Sequence, residues 1–170
     1  MSIYDGVVKL GLITWPFSNP DLISLLRFRE QLIFVTPLQH PLAGHGPVSA
    51  EEIHIHVSPL LVVKWGLAMN TLLAKILPHA ERVMEVPISM VRSLLLQGVG
   101  AAFLTHTLVA EELAAGRIVE IEVRDLPQVF RESVLVRLAR TTVQTAATTE
   151  FIRTLQNETT RFCVVQRDFG

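Results

Sequence analysis

Three places in this chain bring side chains with binding chemistry to the junction between a strand signal and a helix signal: Lys64-Trp65, Ser89-Met90 and Thr105-His106-Thr107. The first turn of a helix leaves amide N–H groups unpaired and carries the positive end of the macrodipole, so such junctions suit a carboxylate or phosphate. Arg92 is placed in the first turn of a helix capped by Ser89, where its charge opposes the helix end and a nearby anion would resolve the conflict. Each residue also has a plainer reading: Arg92 and Lys64 as solvated charges, Ser89 and Thr107 as caps, Trp65 as packing.

Other chemistries find less support. No Ser lies within a G-x-S-x-G elbow, and neither Ser89, Ser93, Ser133 nor Cys163 has a suggestive His partner, which argues against nucleophilic catalysis and against an enzyme. His54 and His56 have a spacing compatible with metal but no third ligand at a suggestive distance, so no metal is expected. Glu51-Glu52 and Glu111-Glu112 both sit in or near the first turn of a predicted helix and read as macrodipole partners rather than an acid and base pair, since adjacent helical residues do not face each other. Gly98-Val99-Gly100 follows a helix and precedes a strand, the reverse of a dinucleotide-binding loop, so it reads as a helix stop and no cofactor is expected.

Composition narrows the class. At 170 residues the chain suits one medium domain or two small lobes. Its charged fraction of 18% and mean hydropathy of +0.40 are apolar against the usual ~25% charged, so part of its surface is expected to meet another chain. The net charge of −1 and the lack of a Lys/Arg cluster argue against nucleic-acid binding by this polypeptide alone. One cysteine, Cys163, excludes an internal disulfide and fits a reducing compartment. Ser93 to Ala110 is too interrupted for a membrane span, and the N-terminus lacks a signal-peptide pattern, so a cytoplasmic location is expected.

The elements that must position these residues follow from patterning. Apolar runs predict strands at Leu10–Thr14, Gln31–Thr36, Leu60–Val63, Arg82–Val86, Ala101–Leu104, Ile118–Val123 and Ser133–Leu138. Helices are predicted from the Ser49-Ala50-Glu51-Glu52 capping box, over Met69–Leu77 to Pro78, from Ser89 to Gly98, and over Leu108–Ala115 to Gly116. A last helix carries Ala147, Phe151, Ile152 and Leu155, and the tail from Arg161 is ambiguous. The alternation of strand and helix predicts a mostly parallel α/β sheet, with ligands outside the carboxyl ends of its strands.

Several segments together resemble LysR-type transcriptional regulators: GVVKLGLIT at Gly6–Thr14, EQLIFVTPLQHPLA at Glu30–Ala43, SPLLVV at Ser58–Val63, SMVRSLLLQGVGAAFL at Ser89–Leu104, EELAAGRIVEI at Glu111–Ile121 and FIRTL at Phe151–Leu155. The resemblance covers nearly the whole chain, and order and spacing carry it rather than any single motif. Lys9 departs from it, because the family usually has an acidic residue before the LGLI run.

The resemblance implies a two-lobed fold similar to periplasmic solute-binding proteins (type 2), with Rossmann-like lobes and a small-molecule effector held between them. Residues 37–129 would form lobe II, residues 1–36 and 130–160 a remnant of an incomplete lobe I, and 161–170 a tail. By position, Thr14, Trp15, Leu61, Val62, Ser89 and Thr105 would line the effector site, joined by Lys64 and Arg92 from the reading of helix ends. The expected partners are an organic, anionic effector and further copies of the chain in a dimer or tetramer. DNA would be bound only through an N-terminal helix-turn-helix that has no counterpart before Met1. The alternatives are a truncated oligomerisation fragment without ligand binding and a solute-binding receptor of the same fold.

Overall fold

The computed structural model describes residues 3–65, 67–76, 82–140, 145–160 and 163–167. The chain divides into two compact units, one built from residues 1–30 with 132–170 and the other from residues 31–131. One long strand, β2 (Leu22–Pro37), contributes its first part to the former and its last part to the latter.

In the unit of residues 31–131, α1 (Ala50–His56) opens with the predicted capping box: the Glu52 N–H donates to Ser49 Oγ at 3.2 Å, and the Ser49 N–H to Glu52 Oε2 at 2.7 Å. Three strands, β3 (Leu60–Val62), β4 (Val83–Glu85) and β5 (Ala101–Thr105), run parallel with β3 in the middle. Each is followed by a helix: α2 (Leu67–Ile76), α3 (Ile88–Leu96) and α4 (His106–Ala114). The last part of β2 pairs antiparallel with β5 and with β6 (Ile118–Ile121).

The core follows from periodicity. β3 and β5 are buried along their length, while α2 turns Met69, Leu72 and Ile76 inward and α3 turns Val91 and Leu95 inward. Those spacings of three and four residues lay one stripe on the sheet, and each such side chain contributes about 1.5–3 kcal/mol by leaving water. The turn from α3 to β5 needs glycine. Gly98 has φ +81 and Gly100 φ +63, and a Cβ on Gly100 would stand 2.0 Å from the Pro59 carbonyl oxygen.

In the other unit, β1 (Gly11–Thr14) pairs antiparallel with β7 (Phe130–Leu138), β7 neighbours β2, and β8 (Val164–Arg167) pairs antiparallel with β2. Here β2 alternates, with Leu26 and Phe28 buried between the more exposed Arg27 and Arg29. The helix α5 (Ala146–Thr159) lays Ile152 and Leu155 against Leu26, Phe28 and Leu135.

Four expectations are corrected. The strand pairing is mixed rather than mostly parallel: β3 runs parallel with β4 and β5, whereas β1 pairs antiparallel with β7, and β5, β6 and β8 each pair antiparallel with β2. β2 begins at Leu22, nine residues before the run read at Gln31. Phe151 is exposed on α5, outside the partly buried stripe of Ile152 and Leu155. The ambiguous tail contains β8, while the predicted stop at Leu77 and Pro78 lies outside the described residues.

Candidate functional site

Because β3, β4 and β5 are parallel, their carboxyl ends share one edge of the sheet, and the N-termini of α2, α3 and α4 gather there. None of the three helices has an acidic residue in its first turn, and α3 and α4 have no side-chain cap hydrogen bond. Their first amides and positive dipole ends are therefore not answered by a carboxylate from the helix itself.

The caps differ from expectation. Pro87 is the N-cap of α3 in an extended conformation (φ −61, ψ 145), so Ser89 sits inside the first turn, exposed, instead of capping it. On α4 the N-cap is Thr105 rather than Thr107; its buried hydroxyl lies 3.3 Å from the Thr107 hydroxyl instead of folding onto an amide.

Leu61 and Val62 hold their side chains in the core, at 1% and 6% exposure, which leaves the main chain as what they present at the strand end. Lys64 reaches Glu85 at 2.8 Å, and both side chains stand largely in water, so the pair contributes little stability. Trp65 is buried and donates from Nε1 to the Phe103 carbonyl at 3.0 Å, while the Arg131 guanidinium lies 5.0 Å from its ring centroid. Sequence reasoning did not single out Arg131; only its place just before the run read at Ser133 hinted at a role.

Arg92 is the fifth residue of α3, past the first turn, and its anion is supplied by the protein. Its Nε donates to Glu112 Oε1 at 2.6 Å and its Nη2 to Glu111 Oε2 at 3.0 Å. The two carboxylates raise its already high pKa, the Glu112 hydrogen bond most of all. Since α4 starts at His106, Glu111 and Glu112 fall toward its C-terminal end rather than in or near its first turn. There the helix dipole disfavours an acid, and Arg92 and Arg117 compensate. Burial pushes the Glu112 carboxyl upward, but the hydrogen bonds and charge of Arg92, with help from Arg117, hold it below the usual glutamate range.

In the unit of residues 1–30 and 132–170, Thr14 ends β1 opposite Ser133 and is exposed. Trp15 follows, its N–H donating to the Glu132 carbonyl at 3.0 Å. The Arg27 guanidinium lies 4.3 Å from the Trp15 ring centroid, and Phe17 meets that ring edge-on at 5.5 Å.

The remaining sequence candidates serve structure. Glu51 and Glu52 sit in the first turn of α1, as expected, and Glu52 also pairs with Arg124 at 2.8 Å. Cys163 donates to the Thr159 carbonyl, and burial, reinforced by the Glu30 charge, pushes its thiol upward, away from reactivity. Among the described residues no three His, Cys, Asp or Glu side chains gather to hold a metal, and no helix is long and apolar enough to cross a membrane. A cleft of about 480 Å³ beside β2 and β6, lined by Gln31, Phe34, Phe103, Glu120, Glu122 and Arg124 among others, contains none of the predicted site residues.

This architecture is that of known regulatory domains. The chain superposes on the reduced form of OxyR from N. meningitidis with a TM-score of 0.71 at 17% identity, covering 97% of this chain and 78% of that one. The effector binding domain of QuiR in complex with shikimate gives 0.71 at 14% identity, covering 96% and 77%. At such identities the likeness is one of fold, the periplasmic-binding-protein-like type 2 fold of LysR regulatory domains.

Residues 2–160 match the family model described as the LysR substrate binding domain, and the chain belongs to that family, which is one of transcriptional regulators and not of enzymes. The HTH-type transcriptional regulator Rv2282c of Mycobacterium tuberculosis is 28% identical over 130 residues, 72% of this chain. That match takes in 42% of the relative, so the chain spans less than half the length of the curated relatives it matches.

Proposed function

We propose that this chain is the effector-sensing part of a LysR-family regulator and that its effector is a small organic anion. The observation that carries the anionic reading is the set of three helix N-termini at the ends of β3, β4 and β5, with no acidic residue in any first turn. Ser89, Thr105 and Lys64 stand at that edge with hydroxyl and ammonium groups, and in the other unit Thr14 ends β1 with Trp15 directly after it. Arg92, also read as an effector ligand, is held beside α4 by Glu111 and Glu112. The ligand in the QuiR complex, shikimate, is itself a carboxylate.

In this reading residues 37–129 are lobe II and residues 1–36 with 130–160 belong to lobe I. Effector binding shifts the conformational equilibrium of the domain, and the shift changes the DNA grip of a helix-turn-helix carried elsewhere in a cytoplasmic regulator. The test is a thermal-shift screen of small organic acids together with a reading of the gene upstream of Met1. A saturable rise in melting temperature and an upstream helix-turn-helix are expected; a gene without one removes the regulator reading.

A second reading, an oligomerisation fragment, draws on exposed Leu12 on β1 and exposed Met84 on β4, the two end strands of the sheet order. Light scattering over a range of concentrations decides it, since a stable monomer excludes this role.

A further inference from the structure

The chain has two tryptophans, and each follows closely on a strand end assigned to the effector site: Trp15 comes directly after β1, Trp65 shortly after β3. Each ring carries a guanidinium, Arg27 at 4.3 Å from the Trp15 centroid and Arg131 at 5.0 Å from that of Trp65. Arg27 is held in turn by Glu132 at 2.6 Å, which Arg29 also approaches at 3.4 Å. Glu132 therefore holds Trp15 twice, through its own carbonyl, which accepts the Trp15 N–H, and through Arg27.

Arg131 and Glu132 are consecutive residues of β7, and the chain passes from one compact unit to the other between them. Successive side chains of a strand point to opposite faces, so neighbouring residues can serve different surroundings without competing. We infer that the Arg131-Glu132 step of β7 is a positioning element for both tryptophans, Arg131 setting the Trp65 indole and Glu132 setting that of Trp15 through Arg27. The assignment of these rings to an effector site rests on the function proposed above; the positioning itself does not. The two indoles then each report on one residue of the same backbone step, and a ligand that draws either arginine off its ring changes the emission of that ring alone.

The experiment uses the full chain in two single-tryptophan forms, Trp65→Phe to observe Trp15 and Trp15→Phe to observe Trp65, without ligand. In the first form, Arg27→Ala and Glu132→Gln are expected to shift Trp15 emission to the red and raise its quenching by acrylamide, with Arg27→Lys intermediate, while Arg131→Ala leaves Trp15 unchanged. In the second form, Arg131→Ala is expected to do the same to Trp65, with Arg131→Lys intermediate, while Glu132→Gln leaves Trp65 unchanged. Unmoved emission of the paired ring overturns the inference. So does an equal shift of both rings with each substitution, which marks general loosening. Because no ligand is present, failure of the organic-acid screen leaves this result intact, and the reverse also holds.

Discussion

Arg92 on α3 and Glu112 on α4 form an ion pair in which a carboxylate only 1% exposed receives the arginine Nε at 2.6 Å. The residue that the sequence offers as a ligand-binding cation makes a buried acid tolerable. Arg92→Ala leaves Glu112 with Arg117 alone, at 3.4 Å, and is expected to lower the melting temperature by several degrees, because removing one partner strands the other charge. Arg92→Lys should recover part of the loss, and calorimetry on the three proteins checks the order.

The same pair sets a pH dependence. With the Glu112 carboxyl held below its ordinary range in the folded protein, its contribution is fully present above the ordinary glutamate pKa and is lost as pH falls through the depressed value. The wild-type melting temperature should therefore fall more steeply on acidification than that of Glu112→Gln. Parallel curves would show that the pair does not carry this dependence.

Leu61 and Lys64 separate packing from recognition at one strand end. Leu61→Ala should cost about 2–5 kcal/mol of stability, because its side chain fills the core. Lys64→Ala should change stability by no more than about 1 kcal/mol, since its pair with Glu85 is solvated, while weakening the binding of any organic acid found by screening. Denaturant titration and ligand titration of both variants measure the two effects separately.

Two local devices carry sizes that can be checked directly. Ser49→Ala removes one half of the α1 capping box and should cost about 1 kcal/mol. Gly100→Ala should be worse, with about 1–2 kcal/mol from the left-handed backbone alone and a further loss from the 2.0 Å approach to Pro59. If Gly100→Ala folds with wild-type stability, the described α3–β5 turn is contradicted.

Much of this architecture was legible in residue patterns, where local chemistry decides. The capping box at Ser49, the strand at Leu60 and the stop at Gly98 depend on side chains within a few residues of each other. The first part of β2 was missed although Leu26-Arg27-Phe28-Arg29 carries the two-residue alternation of a half-buried strand, because no Gly or Pro bounds it from the run that follows. The apolar pattern starts α4 at Leu108, two residues after its first residue His106, and that difference carries Glu111 and Glu112 from one end of the helix toward the other. The Arg92–Glu112 and Arg27–Glu132 pairs join residues 20 and 105 positions apart, separations at which no local pattern applies. For the same reason Arg131 could not be set beside Trp65 before the fold was known.

The central claim, an effector site for an organic anion, is tested most directly by the melting temperature of residues 1–170 titrated with small carboxylic acids, shikimate among them. Each acid is paired with its neutral methyl ester at matched ionic strength. The account predicts that at least one acid raises the melting temperature saturably, that its ester does not, and that Lys64→Ala reduces the rise. A panel in which no acid shifts the midpoint, or in which acid and ester shift it equally, contradicts the claim.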